Sequence, residues 1–337
     1  MPALAVAGAL RTRGASVYFI GGDRAERELV PAAGYELERI TVRGIDRHNP
    51  LKASLALATA SRATAAARAI LRERSTTAVL GGGGYVAGPV GLAAVSLRLP
   101  LVLCEADSHL GVANRTLAPF ARRICLAFPI AGCDGPRYLV TGRAVALPEM
   151  DRVAARRRYR LDRDDLMVLV FGGSLGAHSI NEAALAGLSG ASFRVLHVTG
   201  TRDWPALRTR DHGPQYEIVE YLAPAEFAVA LAACDLVVAR AGGSIFEIAA
   251  HGRPAILIPY PHATADHQTS NAAWMVAGGA ALMLPDAELN GPRLASEVGR
   301  LIGDPARRAA MSNAALALAR PQAASAIAAE VMAVSYA

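Results

Sequence analysis

The chain has 337 residues, is 53% hydrophobic and only 5% aromatic, and carries a formal net charge of +6. That length suits two domains with sizeable cores. The positive balance favours anionic small molecules or an anionic membrane surface, while scarce aromatics and the lack of a basic run interleaved with them exclude nucleic acid as the expected partner.

In chain order, Met1 to Arg13 predicts a helix, with Pro2 in its first turn and Leu4, Ala5 and Leu10 on one face, closed by Gly14. Val17 to Ile20 predicts a strand ended by Gly21-Gly22, and Glu38 to Val42 a second. Leu51 to Arg74 is a long helix and Ala78 to Leu80 a third strand, which runs into Gly81-Gly82-Gly83-Gly84-Tyr85-Val86-Ala87-Gly88-Pro89. A helix over Val90 to Arg98 leads to strands at Leu101 to Cys104 and Ile124 to Phe128. This alternation predicts a doubly wound parallel sheet. Such a domain normally opens with a strand, a glycine loop and a helix, but this chain opens with the helix.

After an arginine-rich connector near Gly142 to Asp164 the pattern restarts. Strands are predicted at Met167 to Phe171, Arg194 to Val198, Glu217 to Val219, Leu236 to Ala239, Ala255 to Ile258 and Ala281 to Leu284. Helices over Pro292 to Arg320 and Gln322 to Val334, split by Pro321, close the chain. The expected fold is α/β: two doubly wound domains, residues 1–142 and 143–321, with the last helix (322–337) returning to the first.

The stretch with most chemistry runs from Val237 to Asn271. A buried strand breaks at Gly242-Gly243-Ser244, a helix follows with Glu247 in its first turn, and a polar loop holds Asp266, His267, Gln268 and Asn271. A strand–glycine–helix unit offers backbone N–H groups to an anion. A carboxylate behind the glycines suits a diol such as a ribose. A second such turn is Phe171-Gly172-Gly173-Ser174-Leu175-Gly176-Ala177, and the four-glycine run holds the matching position in the first domain. A plain tight turn and a solvated first-turn acid are the competing readings of these segments. The cysteines (Cys104, Cys125, Cys133, Cys234) form no CxxC pair and read as free thiols of a reducing cytosol. The eight histidines have no ligand spacing, so neither a metal nor a cofactor is expected. His48, His197, His212, His251 and His262 read as structural. The alanine-rich stretch Leu51 to Leu71 is interrupted by Arg62 and Arg68, so it is an amphipathic helix and not a membrane span. Its face with Leu51, Lys52, Leu55 and Leu57 suits either a membrane surface or the first sheet.

Taken together, PALAVAGALRTRG, GGGGYVAGP, GGSLGAHSIN, RAGGSIFEIAAHGRPAILIPYP and DHQTSNA resemble, in order and spacing, the lipid I N-acetylglucosaminyltransferase (MurG) family of GT-B glycosyltransferases. The resemblance covers nearly the whole chain, and GGGGYVAGP is its most specific piece. It implies two Rossmann-like domains facing across a cleft. It also implies inverting transfer of N-acetylglucosamine from UDP-GlcNAc to the C4 hydroxyl of the muramoyl sugar of lipid I, giving lipid II for peptidoglycan, by a peripheral enzyme on the cytoplasmic side of the membrane. On this resemblance Glu247 binds the uridine ribose, Gly173, Ser174 and Gly176 the diphosphate, Gly242, Gly243 and Ser244 the donor, and His267 and Gln268 the GlcNAc hydroxyls. Gly82, Gly83, Tyr85 and Asn114 face the acceptor.

The chain departs from the family in three places. The family's first strand and GGTGGH loop, whose histidine is the proposed general base, have no counterpart here, so this chain is expected to lack that base and the middle strand of its first sheet. Ala146 stands where the family has a phosphate-binding arginine, with Arg143 as the substitute three residues earlier. Glu105-Ala106-Asp107 replaces Glu-Gln-Asn, with His109 nearby as a weak alternative base. Three other readings stay open: another UDP-sugar transferase, a nucleotide-sugar epimerase using Glu105 and Asp107, and a UDP-sugar-binding remnant without turnover.

Overall fold

The computed structural model describes residues 2–42, 50–145, 148–263 and 266–335, with the side chains of 50–58 excepted. His48, Ala146 and the side chains of Leu51, Lys52, Leu55 and Leu57 lie outside the described residues. The chain divides into two compact units, Met1–Ala146 with Pro321–Ala337, and Leu147–Arg320.

The first unit comprises α1 (Pro2–Arg11), β1 (Tyr18–Gly21), α2 (Glu26–Ala32), β2 (Glu36–Arg39), α3 (Pro50–Glu73), β3 (Val79–Gly81), α4 (Gly84–Ser96), β4 (Leu101–Glu105), α5 (Val112–Leu117), β5 (Arg123–Leu126) and β6 (Tyr138–Val140). Its strands pair in parallel but form two separate sheets, β1-β2 and β3-β4-β5-β6. Ala63, Ala67 and Leu71 of α3 pack into the core under this unit, beside Leu101, Leu103 and Ile124. Arg62 on the same helix is exposed.

The second unit comprises α6 (Arg152–Arg158), β7 (Met167–Phe171), α7 (His178–Leu188), β8 (Arg194–Val198), α8 (Trp204–Leu207), β9 (Tyr216–Val219), α9 (Pro224–Ala233), β10 (Leu236–Ala239), α10 (Ile245–Ala250), β11 (Ala255–Leu257), α11 (His267–Ala277), β12 (Ala281–Met283), α12 (Gly291–Ile302) and α13 (Pro305–Leu318). One six-stranded parallel sheet runs β12-β11-β10-β7-β8-β9. Its middle strands, β7 and β10, are buried at every residue, which explains why they read as unbroken apolar runs: helices cover both faces. The last helix, α14 (Ala323–Ser335), belongs to the first unit, where Ile327 and Val331 pack with Val6 and Leu10 of α1. No described helix is long and apolar enough to cross a membrane.

Several elements differ from their sequence expectation. The second strand is Glu36–Arg39, not Glu38 to Val42, because its parallel pairing with β1 runs from Tyr18 opposite Glu36 to Gly21 opposite Arg39. The helix expected from Val90 begins at Gly84: α4 packs between α3 and α5, and a Cβ on Gly91 would stand 2.3 Å from Leu117 Cδ1. Close helix packing thus offsets the poor helix propensity of its glycines. The helix expected over Pro292 to Arg320 is two helices, since Asp304 caps a new one by accepting from Arg307 N at 2.9 Å, with Pro305 in its first turn. His267 and Gln268 start α11 and do not lie in a loop. Helix α2 and strand β6 have no counterpart among the expected elements.

Candidate functional site

In the second unit, the fully buried β7 delivers the chain to Gly172-Gly173-Ser174-Leu175-Gly176, ahead of the eleven-residue α7. Gly173 and Gly176 have φ of +99° and +83°, which closes a turn from Gly176 N to Gly173 O at 3.0 Å. The N–H groups of Gly173, Ser174 and Leu175 make no hydrogen bond among the described residues. No side chain caps α7, so its first N–H groups are also open. Ser174 is exposed beside them. This is a nest of unpaired donors at the carboxyl edge of the sheet, with the chemistry to hold an anion.

The turn is pinned from behind. A Cβ on Gly176 would lie 2.0 Å from Thr199 O, and one on Gly200 2.1 Å from Gly176 N. The Thr199-Gly200 backbone is held by a buried relay. Tyr216 Oη donates to His197 Nδ1 (2.8 Å), His197 Nε2 to Asn181 Oδ1 (3.0 Å), and Asn181 Nδ2 to Thr199 O (3.0 Å) and Asp203 Oδ2 (2.9 Å). Burial pulls the His197 pKa down to about 3, so the ring is neutral, as the relay requires. Gly176→Ala is therefore expected to cost at least ~2 kcal/mol of stability through the positive φ and the collision with Thr199. Urea unfolding checks this, and a loss under ~0.5 kcal/mol would contradict it.

The second turn, Gly242-Gly243-Ser244, is half-buried between β10 and α10. Glu247 sits half-buried in α10, and its carbonyl accepts from His251 Nδ1 at 2.8 Å. Glu149 N in turn donates to His251 Nε2 at 3.1 Å, and burial lowers the His251 pKa, in keeping with a neutral ring. The start of α11 is tied to this turn: Asn271, 3% exposed, donates from Nδ2 to Ala241 O at 2.9 Å. Gln268 Oε1 accepts from Tyr260 N at 3.0 Å, which leaves its Nε2 as a donor with no partner among the described residues. His267 is half-buried next to it. Glu247, His267, Gln268 and the Gly242 turn are thus assembled at the carboxyl ends of β10 and β11, the edge where open α/β sheets bind ligands.

One member of this edge escaped the sequence reading. Arg240, 8% exposed, donates from Nη1 to Pro259 O (3.1 Å), Ile258 O (3.3 Å) and Asp286 Oδ1, and from Nη2 to Ser179 Oγ (2.8 Å). Its guanidinium also lies 5.4 Å from the centroid of the Tyr260 ring. It clamps the ends of β10, β11 and β12 and the first turn of α7. The only local signal is an arginine placed directly after four fully buried apolar residues.

In the first unit, Gly83 and Gly84 (φ +80° and +76°) turn the chain from β3 into α4. Gly82, Gly83, Tyr85 and Arg143 all line one cavity of about 960 Å³. The Tyr85 ring is covered by Arg24, whose Cζ is 4.7 Å from the centroid. Asn114 is not at that surface: it is 1% exposed and donates to Cys104 O and Glu105 Oε2, both at 2.9 Å. Glu105, also buried, accepts from Asp107 N (3.1 Å) and Gly111 N (2.8 Å). The pair therefore shapes the loop after β4 from within. His109 on the same loop is half-buried, makes no hydrogen bond or ion pair among the described residues, and does not line the cavity. No group of three or more His, Cys, Asp or Glu side chains placed to hold a metal occurs among the described residues.

Two doubly wound parallel units, each with glycine turns at the carboxyl edge of its sheet, define the architecture of GT-B glycosyltransferases. Family models match in both: the glycosyltransferase family 28 N-terminal domain over residues 1–126 and its C-terminal domain over residues 167–328. The chain belongs to glycosyltransferase family 28. It is 39% identical over 347 aligned positions to a UDP-N-acetylglucosamine--N-acetylmuramyl-(pentapeptide) pyrophosphoryl-undecaprenol N-acetylglucosamine transferase of Moorella thermoacetica, covering 97% of this chain and 93% of the relative. A protein of the same name from Stutzerimonas stutzeri is 40% identical, with 96% and 91% covered. Among solved structures, MurG of Acinetobacter baumannii superposes with a TM-score of 0.79 at 27% identity, over 98% of this chain and 95% of that one.

Proposed function

We propose that this chain transfers N-acetylglucosamine with inversion from UDP-GlcNAc to the C4 hydroxyl of the muramoyl sugar of undecaprenyl-linked lipid I, forming lipid II. The observation that carries the reading is 39–40% identity over nearly the whole chain to transferases named for this donor and acceptor. The acceptor oxygen bonds to C1 of the sugar, the bond from C1 to the UDP oxygen breaks, and the hydroxyl proton leaves to a base. Negative charge grows on the departing diphosphate, and the unpaired N–H groups of the Gly173–Gly176 turn are pre-aimed to stabilise it. Ser174 adds a hydroxyl donor, and the Gly242–Ser244 turn lets the donor approach the backbone. Glu247 accepts from the ribose hydroxyls, while His267 and the open Nε2 of Gln268 read the sugar. Gly82, Gly83, Tyr85 and Arg143 receive the acceptor's diphosphate and sugar, with Asn114 positioning their neighbouring loop from behind. The chain works without metal, at the cytoplasmic face of an anionic membrane, which its net charge of +6 favours.

Titration calorimetry tests the donor half. UDP-GlcNAc is expected to bind more tightly than UDP-glucose and to bind equally in EDTA. Glu247→Ala is expected to weaken it about 10- to 100-fold, the worth of a charge-assisted hydrogen bond pair. Unchanged affinity in the variant overturns the role of Glu247; absence of any UDP binding overturns the donor assignment. A lipid I assay on the protein then reads the acceptor.

A further inference from the structure

The two faces of the second unit's sheet differ near its β9 edge. Val195 and His197 of β8 and Tyr216 and Ile218 of β9 face the core under α7, so the alternate residues Arg194, Leu196, Glu217 and Val219 point to the opposite face. On that face α9 lies over β7, with the Phe171 and Phe227 rings 5.0 Å apart edge to face. Beyond α9, towards β9, a cavity of about 500 Å³ is bounded by the end of α6, the two strands and the start of α9. Small-molecule pockets run to roughly 300–1,000 Å³. No residue of the Gly173–Gly176 or Gly242–Ser244 turns lines it.

One wall is apolar: Leu196, Val219 and Leu222, with the half-buried ring of Tyr159 beside them. Charges are set around that wall. Arg158 Nη2 meets Glu226 Oε1 at 3.3 Å, and Arg194 Nη2 meets Glu217 Oε2 at 2.5 Å. Arg160 lines the same cavity, is exposed, and has no ion pair or side-chain hydrogen bond among the described residues. Three arginines against two glutamates leave one positive charge, and Arg160 carries it. Two further donors are open. Tyr159 Oη makes no hydrogen bond among the described residues, and burial pushes its pKa up to about 12, so the phenol keeps its proton. Arg194 Nε is buried without a partner, a condition that native folds rarely leave unanswered. An apolar wall with one surplus cation and open donors suits a monoanion on an apolar body. A carboxylate accepts from a guanidinium in bidentate form and from a phenol. A phosphate monoester brings nearly two negative charges against one surplus positive charge, beside two glutamates.

We propose that this cavity is a second ligand site, which binds a small monocarboxylate with an apolar body: the carboxylate on Arg160 and Tyr159 Oη, the body on Leu196, Val219 and Leu222. Its chemistry is independent of the donor and acceptor named above.

The test is a ligand-observed NMR titration of the full chain with 4-phenylbutyrate, which is expected to bind with a Kd of about 1 mM or tighter. The neutral isostere 4-phenylbutanamide and the dianionic 3-phenylpropyl phosphate are each expected to bind at least about tenfold more weakly. Arg160 occupies the left-handed position that ends α6, with φ +55°, its N–H bonded to Arg157 O at 3.0 Å and Leu161 N to Arg156 O at 3.1 Å. Glycine is the usual residue at such a position, so Arg160→Gly removes the guanidinium and relieves the backbone without disturbing the fold. That variant is expected to weaken 4-phenylbutyrate at least about tenfold. Tyr159→Phe keeps the ring, loses the hydroxyl donor and is expected to weaken it about threefold. Saturating UDP-GlcNAc is expected to leave the probe bound. Absence of binding by the parent at about 20 mM probe overturns the proposal. Equal binding of the amide makes the cavity a general apolar pocket and overturns it too, and tighter binding of the phosphate overturns the choice of a carboxylate. An affinity in Arg160→Gly within about twofold of the parent, or displacement by UDP-GlcNAc, puts the probe at another site and has the same consequence.

Discussion

Replacing Arg240 with alanine is expected to destabilise the second unit by roughly 3–5 kcal/mol, the usual result of removing one partner of a buried ion pair. Asp286 would lose its cation, with its side chain only 22% exposed, and the carbonyls of Ile258 and Pro259 would lose their donor. Ser179 would lose the guanidinium but keep its bond to Asp286 Oδ1 at 2.7 Å. Urea unfolding followed by tryptophan fluorescence reads this unit alone, because Trp204 and Trp274 both belong to it. The double variant Arg240→Met with Asp286→Leu removes both charges and should recover much of the loss, since a well-packed apolar pair often replaces a buried ion pair at little cost. The clamp gathers the strand ends that carry Gly242 and Gln268, so Arg240→Ala should also weaken UDP-GlcNAc binding under conditions where the unit remains folded. A loss of stability below ~1 kcal/mol would show that the clamp is dispensable.

The second large effect is acid sensitivity centred on His197. Its folded pKa is about 3, against 6.5 for the free side chain, and burial is the cause. Above pH 6.5 the ring is neutral in both states and the stability is fully present. Below it, the unfolded chain takes up a proton that the native state refuses, so stability falls by about 1.4 kcal/mol per pH unit until the folded pKa is reached. The full loss from this group is roughly 5 kcal/mol, about half of it already present near pH 4.7. His251 shifts in the same direction and adds to the slope below pH 6.5. His197→Gln retains an acceptor for Tyr216 and a donor for Asn181 but does not titrate. Between pH 6.5 and 4.5 its unfolding free energy should fall less steeply than that of the parent by about one proton. Identical slopes in the two proteins would remove His197 from the account.

The relay also shows why part of the site was legible in the sequence and part was not. Gly173, Gly176, Gly242 and Glu247 stand at the junction of an apolar run and a helical pattern, and local geometry alone demands such residues there. Asn114 carries the same kind of motif signal, yet its side chain is spent inside the fold on Cys104 O and Glu105. Arg240, Ser179 and Asp286 are separated by 46 to 107 positions, and no local pattern links them. The glycines of the GGGGYVAGP run divide in the same way. Gly83 and Gly84 need positive φ, a local demand, whereas Gly91 just beyond the run is required by Leu117 of another helix.

Residue order was sufficient for the α/β class, two domains, most strands and both glycine turns of the second unit, because hydrophobic periodicity and backbone sterics act over a few residues. The strand order, the Arg240 clamp and the neutral His197 relay emerged only when distant segments met. Each is a pairing of groups far apart in the chain, and a pairing is set by packing, burial and the need to satisfy buried polar groups, none of which a single segment contains.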